Sequence, residues 1–145
     1  MKNSEAPNIK IYGLEIWIIG NQFPESDDYW DGNWLTVSAK CSGIGSEVFV
    51  KKTYIHLSEI NALIERLENL YSELKGEIDF EFMEPELSLA ISSDILGHLS
   101  LKIGITPDHL NQMHEYNFEM DQSYIPKIID DLKNILKEYP IKSKP

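Results

Sequence analysis

Hydrophobic and polar positions alternate along the first third of the chain, which is the pattern of β-strands. Residues 9–19 are rich in β-branched and aromatic types and predict a first strand, within which Gly13 indicates a bulge. A second strand is predicted over Trp34–Cys41 and a third over Glu47–Ile55. Residues 42–46 favour a hairpin connection, so the second and third strands should pair antiparallel.

A helical pattern follows, in which apolar residues recur at spacings of three and four. This stripe comprises Ile60, Leu63, Ile64, Leu67, Leu70, Tyr71 and Leu74. Ser58 is a good N-cap residue, and Gly76 lies just past the end, where a left-handed residue is often needed. The pattern therefore predicts one amphipathic helix that ends before Gly76.

Alternation resumes after Gly76 and continues to Met120. The predicted strands are Glu77–Phe82, Glu86–Ile91, Gly97–Ile105 and Met113–Met120. Asp121 then predicts the cap of a second helix, and Pro126 falls in its first turns, where a missing N–H is tolerated. The apolar stripe of that helix comprises Tyr124, Ile125, Ile128, Ile129, Leu132, Ile135, Leu136 and Tyr139.

The predicted fold is α+β, with the element order βββαββββα. Because tight turns join the strands, we expect a single antiparallel sheet of about seven strands. Two amphipathic helices should pack on one face of this sheet, which leaves the other face partly open to water. The two strand-then-helix blocks resemble a weak internal duplication, although periodicity alone does not establish common origin.

Composition places the chain among globular proteins of one domain. Its 145 residues are enough for one core, and we expect flexible tails only at 1–8 and 140–145. The single cysteine, Cys41, excludes an intramolecular disulfide and is expected to be an inert buried thiol of a cytoplasmic protein. The N-terminus lacks the order of a secretory signal, and the longest apolar stretch, 16–19, is too short to span a bilayer.

The charge is strongly negative and unevenly distributed. Twenty-four acidic residues against thirteen basic ones give a net charge of −11, which repels nucleic acid and anionic membranes and attracts basic surfaces. Residues 76–126 contain ten acids and one base, Lys102. A docking surface for a basic protein is therefore one interpretation of this region.

The first candidate surface is the polar side of the alternating strands. It comprises Glu77, Asp79, Glu81, Glu86, Ser88, Ser100, Lys102, Glu115, Asn117 and Glu119. The alternative is an ordinary solvated sheet face, since antiparallel sheets commonly have one. A surface without a binding role usually mixes charges of both signs, whereas Lys102 is the single base in this region.

The second candidate surface is the loop from Phe23 to Trp34, in which aromatic and acidic residues are closely spaced. Its predicted partner-binding residues are Asp27, Asp28, Tyr29, Trp30 and Asp31. Aromatic rings provide rigid anchors in binding loops, and carboxylates orient a partner. The alternative is that Trp30 and Trp34 fold back onto the core, which we favour for Trp34. The spacing of a calcium-binding loop is absent, so we expect no metal.

No motif supports catalysis. The four histidines, His56, His98, His109 and His114, are scattered over different elements without metal-ligand spacing, so they predict no zinc site. His98 and His114 are expected to be ordinary surface residues, and a pair of either with a glutamate across strands stays an alternative. The glycines at 43 and 45 precede a strand rather than a helix, so they predict no phosphate loop. We therefore expect neither an enzyme nor a cofactor.

Two segments resemble small bacterial immunity proteins of the WapI type. They are Asp28–Leu35, which leads into the hairpin, and Phe118–Tyr124, which leads into the last helix, and the likeness extends from about Asp28 to Glu138. The resemblance implies a cytoplasmic inhibitor that binds the toxic C-terminal domain of a contact-delivered toxin. For WapI-like members it implies a nuclease acting on transfer RNA. It implies no role for any individual residue.

The prediction from sequence is thus an acidic inhibitor, a monomer or weak dimer, that binds a basic toxin domain through the acidic strands and the aromatic loop. It should bind neither nucleic acid nor membrane directly. One alternative is a small-molecule or regulatory binding module with a pocket between sheet and helices. Another is a hydrolase with a histidine–carboxylate pair in a cleft.

Overall fold

The computed structural model describes residues 5–143, which contain eight strands and two α-helices. The strands are β1 (Ile9–Ile11), β2 (Leu14–Asn21), β3 (Trp34–Gly43), β4 (Ser46–His56), β5 (Glu77–Glu81), β6 (Leu87–Ser93), β7 (Leu99–Ile105) and β8 (Glu115–Met120). The helices are α1 (Leu57–Glu73) and α2 (Ile125–Glu138), and short 3-10 turns cover Asp31–Asn33 and Gln122–Tyr124. The chain thus repeats one order twice, four strands and then a helix.

The strands form two antiparallel sheets of four, which confirms the α+β class but not the single sheet of about seven strands. Sheet A has the order β1-β2-β3-β4 and sheet B the order β5-β6-β7-β8. The prediction was wrong because alternation identifies strands without identifying their neighbours. Helix α1 lies between β4 and β5 in the chain, and these two strands do not pair.

The predicted first strand is two strands joined at Tyr12 and Gly13. Tyr12 adopts a left-handed φ of 54°, and β1 folds back on β2 with Ile11 opposite Leu14. A Cβ atom at Gly13 would lie 2.8 Å from the Phe118 ring of β8. Gly13 therefore lies in a tight turn that packs closely against β8 of sheet B. The bulge of β2 lies further along the strand, between Ile18 and Gly20.

One core unites both sheets and both helices. Its completely buried residues include Leu35 and Ile55 of sheet A, Ile91 and Ile103 of sheet B, Ile60 and Leu67 of α1, and Ile128 and Leu132 of α2. An aromatic residue of β8 also contacts the turn between β1 and β2, because Phe118 stacks on Tyr12 at 6.0 Å between ring centroids. The helices therefore pack against a core shared by two sheets, and the prediction that they lie on one face of a single sheet is wrong.

The helix ends differ in detail from the prediction. The cap of α1 is His56, whose Nδ1 accepts from the Ser58 backbone N–H at 3.2 Å, rather than Ser58 itself. Its C-terminal residue in the left-handed conformation is Leu74, with φ 56°. Asp121 caps the 3-10 turn that precedes α2 by accepting from the Ser123 N–H at 2.8 Å.

The predicted tails at 1–8 and 140–145 are only partly described, because residues 1–4 and 144–145 lie outside the described residues. Asn8 N–H donates to the Ile16 carbonyl at 2.8 Å, and the Trp17 indole N–H donates to the Glu5 carbonyl at 3.0 Å. None of the helices described is long and apolar enough to cross a membrane.

Candidate functional site

The outer face of sheet B carries carboxylates along both of its edge strands. The strand register sets Glu77, Ser92, Ser100 and Glu119 in one row across the sheet, Asp79, Ala90, Lys102 and Asn117 in the next, and Glu81, Ser88, Gly104 and Glu115 in the third. We call this surface the acidic face, with Glu77, Asp79, Glu81, Glu115 and Glu119 as its carboxylates. All five residues are exposed.

The acidic face has the shape of a shallow trough. Its two carboxylate-bearing strands are three strand spacings apart, which is ~14 Å. Small side chains such as Ala90, Ser92 and Ser100 lie between them, and an open concavity of about 560 Å³ occupies this position. Because carboxylates lie along both sides of this trough, its electrostatic potential is negative and attracts cations.

Most of these carboxylates have no basic partner. Lys102 is the single base on the face, and its Nζ lies 4.0 Å from a Glu115 carboxylate oxygen. Among residues 5–143, no ion pair involves Glu77, Asp79, Glu81 or Glu119. Arg66 comes near β5, but its guanidinium donates to the Asp79 backbone carbonyl at 3.1 Å. The face therefore keeps most of its negative charge.

Glu86 does not belong to this exposed face. It lies in the turn before β6, with its side chain 20% exposed. One carboxylate oxygen accepts from the Thr53 hydroxyl of β4 at 2.8 Å, and the other lies 3.8 Å from His109 Nδ1. Glu86 thus joins sheet B to the edge of sheet A. Strand alternation alone could not reveal this, because the contact depends on how the two sheets pack.

The aromatic loop surrounds a buried histidine. His56 is completely buried, and the Trp30 ring stacks on its imidazole at 4.8 Å between centroids. Trp34 meets the imidazole edge-on at 4.9 Å, and Tyr29 lies at 5.6 Å. Trp34 is partly buried, in the manner expected of a residue folded back on the body, whereas Trp30 keeps 49% of its surface exposed.

Hydrogen bonds fix the tautomer of His56. Because Nδ1 accepts from the Ser58 backbone N–H, this nitrogen carries no hydrogen in the neutral ring. Nε2 must then carry it and donate to the Trp30 carbonyl at 3.0 Å. His56 therefore fastens the aromatic loop to the start of α1. Sequence reasoning assigned His56 no role, and its position between a strand and a helix was the available signal.

The C-terminal segment holds the other side of the aromatic loop. Asn33 is completely buried, its amide donates to the Lys142 carbonyl at 2.9 Å, and its Oδ1 accepts from the Lys142 N–H at 2.8 Å. The Lys142 ammonium donates to the Ser26 carbonyl at 2.9 Å. Residues 141–143 thus form part of the structure around this loop.

The acidic residues of the loop divide into two kinds. One carboxylate oxygen of Asp28 accepts from the backbone N–H groups of Trp30 at 3.0 Å and Asp31 at 2.9 Å, so Asp28 fixes the backbone that leads into the 3-10 turn. Asp27 and Asp31 are exposed, and no hydrogen bond involves their carboxylates within residues 5–143. They are the loop's available acidic contacts.

Two ionisable groups outside these surfaces, Asp94 and Cys41, have shifted pKa values with structural causes. His98 Nδ1 lies 3.3 Å from an Asp94 carboxylate oxygen, and hydrogen bonding, mainly from the His98 backbone N–H, lowers the pKa of Asp94 within this exposed turn. Burial raises the pKa of the Cys41 thiol to about 11, so the thiol stays protonated at neutral pH. Over residues 5–143, no three histidine, cysteine or acidic side chains are placed to hold a metal ion.

The enclosed space between the sheets and helices is small. The internal cavity there is lined by apolar residues such as Ile16, Leu63 and Leu132, and its volume is about 20 Å³. Pockets that bind small molecules are typically several hundred Å³. This space corresponds to about one water molecule. An open groove of about 230 Å³ lies between the end of α1 and β5, lined by residues such as Asn69, Glu73 and Glu77.

Comparison with known proteins assigns the family. A sequence model of the immunity protein WapI-like family matches residues 7–140. The chain belongs to this family. Membership of the WapI-like family, which the sequence motifs predicted, is therefore confirmed, and it supports an immunity role in which the protein binds a toxin. No curated protein matches the chain.

Two solved structures show a distant likeness to this WapI-like chain. The plant transcriptional regulator PBF-2 is 10% identical, with 87% of this chain and 75% of that chain covered and a TM-score of 0.49. WHY1 from Arabidopsis thaliana is 12% identical, with 88% and 84% covered and a TM-score of 0.46. Likeness at this level indicates no shared function.

Proposed function

We propose that this chain is an immunity protein that neutralises a basic toxin domain by covering its active surface with the acidic face. The observation that carries the proposal is the set of exposed carboxylates without ion-pair partners on one open side of sheet B, in Glu77, Asp79, Glu81 and Glu119. Family membership supports a toxin as the partner.

The proposed toxin activity is that of a nuclease, with transfer RNA as its substrate. A nuclease binds the phosphate backbone through Lys and Arg side chains, so its substrate surface is positively charged. An acidic protein can occupy that surface and exclude RNA in a one-to-one complex without any reaction of its own. We place this inhibition in the cytoplasm, where transfer RNA is found.

The aromatic loop supplies the second proposed contact. Trp30 is half exposed, yet its ring is held by His56 and its backbone by Asp28. A large ring that is already fixed loses little conformational entropy on binding, which favours it as an anchor. Asp27 and Asp31 flank this ring with exposed carboxylates.

The test reverses charge on one edge of the acidic face. In Glu77→Lys/Asp79→Lys/Glu81→Lys, we expect association with the cognate toxin domain to slow by about ten-fold or more at low salt, because electrostatic complementarity mainly accelerates encounter. Nuclease inhibition at limiting concentrations should weaken in parallel. Association rates come from stopped-flow fluorescence, and inhibition from cleavage of transfer RNA.

The matched control makes the same change in net charge on the helices. Glu65→Lys/Asp130→Lys/Glu138→Lys alters three exposed acids of α1 and α2. It should reduce the association rate much less than the sheet variant does. Equal losses in the two variants, or an unchanged rate in the sheet variant, would show that the acidic face is not the docking surface.

A further inference from the structure

Strand β4 forms one edge of sheet A. It is eleven residues long, and within the described residues 5–143 it pairs with β3 alone. The hairpin turn has two residues, so Gly43 and Ser46 form its closing hydrogen-bonded pair. In an antiparallel ladder the backbone groups of alternate residues face the partner strand. The N–H and C=O groups of Glu47 and Phe49 therefore point away from β3. Within residues 5–143, no hydrogen bond reaches them.

The side chains along this edge are self-complementary. Antiparallel pairing of two β4 edges about a two-fold axis at Phe49 sets Phe49 opposite its own copy and Glu47 opposite Lys51. In this register the outward N–H and C=O groups of one β4 lie opposite those of the other copy. They can therefore form hydrogen-bonded pairs, because in each copy they belong to alternate residues. Lys51 is exposed and forms no ion pair among the described residues, so its charge is available to a second copy. Glu47 lies 3.7 Å from Lys40 of its own chain and accepts from the Ser42 hydroxyl, but its side chain is 57% exposed, so Lys51 of a second copy would reach it as a second cation. The register shift falls between the pairs Ala39–Val50 and Val37–Thr53, so the regular ladder ends at Val50, and Lys51 and Lys52 together lie opposite Ser38.

An exposed apolar loop lies beside the same strand. His109 approaches Glu86, which accepts from Thr53 of β4, so these contacts place the β7–β8 loop near this strand. In that loop Leu110 is 82% exposed and Met113 is 86% exposed. Large aliphatic side chains exposed to this degree favour burial against a partner.

We propose that the chain forms a symmetric homodimer in which two β4 edges pair antiparallel and join the two copies of sheet A into one eight-stranded sheet. The occupant of the edge is a second copy, because the pattern Glu47-x-Phe49-x-Lys51 complements itself about its centre. A two-fold contact requires this property of a single surface patch. The acidic face lies on sheet B and stays open in this arrangement.

The experiment measures assembly of the full chain by sedimentation velocity, from about 10 µM to about 1 mM, the range in which small interfaces associate. The chain should shift from monomer to dimer. Lys51→Glu places two carboxylates opposite each other at two symmetry-related positions, so the dissociation constant should rise by roughly ten-fold. The double variant Glu47→Lys/Lys51→Glu restores opposite charges and should recover the dimer.

Lys52→Glu is the matched control, because it makes the same charge change at the other residue of the bulge, which the proposed pairing places opposite Ser46 and no carboxylate. A second readout is hydrogen exchange of the outward Phe49 amide, which should become protected as the concentration rises. A monomer throughout the range, equal effects of Lys51→Glu and Lys52→Glu, or a Phe49 amide that is protected only when toxin is added would each overturn the proposal.

Discussion

At the scale of single residues, Glu59 links two segments that are distant in the chain. It is nearly buried on α1, and its carboxylate accepts from the backbone N–H of His56 at 2.9 Å and from that of Met83 at 2.7 Å. Burial raises the pKa of this carboxyl, while the two hydrogen bonds oppose the rise. The carboxylate thus binds the end of β4 and the β5–β6 turn to one helix.

The raised pKa has a defined sign for stability. A carboxyl that holds its proton more tightly in the folded state contributes most at low pH, and the contribution falls as pH rises from the unfolded pKa through the folded one. As pH rises above about 4, the ordinary value for Glu, the unfolding free energy of the wild type should therefore fall relative to that of Glu59→Gln, which cannot titrate. Urea unfolding at several pH values measures the difference. A difference that stayed constant or grew with pH would contradict the assignment.

At the scale of elements, the aromatic loop depends on residues from three parts of the chain. Asn33 is the residue that connects them, since its side chain bonds to Tyr29 within the loop and twice to Lys142 near the C-terminus. Removing a buried side chain that satisfies several backbone groups leaves those groups unpaired in the interior.

We expect Asn33→Ala to lower the unfolding free energy by about 2–4 kcal/mol, because at least two buried backbone groups lose their partner. Asp27→Ala, an exposed change in the same loop, should cost less than about 0.5 kcal/mol. Chemical denaturation gives both values. Equal stabilities of the two variants would show that the C-terminal segment does not hold the loop.

Most elements could be predicted from local pattern, whereas their pairing could not. The helix α1 is confirmed almost over its full predicted length because its apolar stripe is continuous. The first strand was too long because the alternation runs past Tyr12 without interruption, and only the left-handed φ of that residue reveals the turn. A single sheet and two sheets also produce the same local alternation, so the arrangement around the core had to come from the structure.

The candidate site was predictable where it depends on the alternation of side chains along a strand. This alternation places Glu77, Asp79 and Glu81 on one side of β5, and the sheet register brings Glu115 and Glu119 to the same side. The prediction from alternation fails for Glu86, because its carboxylate accepts a hydrogen bond from Thr53, in a strand of the other sheet. It also could not identify His56 as the support of the aromatic loop, because the contacting residues are more than twenty positions earlier in the chain.

At the scale of the whole molecule, the acidic face and the aromatic loop should affect different steps of toxin binding. Long-range charge accelerates association, while a desolvated aromatic anchor slows dissociation. Trp30→Ala should therefore raise the dissociation rate of the toxin complex about 30-fold, the equivalent of ~2 kcal/mol for a central aromatic residue, and leave the salt dependence of association unchanged. Tyr71→Ala, a similarly exposed aromatic on α1 and outside both proposed contacts, is the comparison. Surface plasmon resonance at several salt concentrations separates the two rates. A loss confined to the association rate, or equal changes for Trp30→Ala and Tyr71→Ala, would remove Trp30 from the interface.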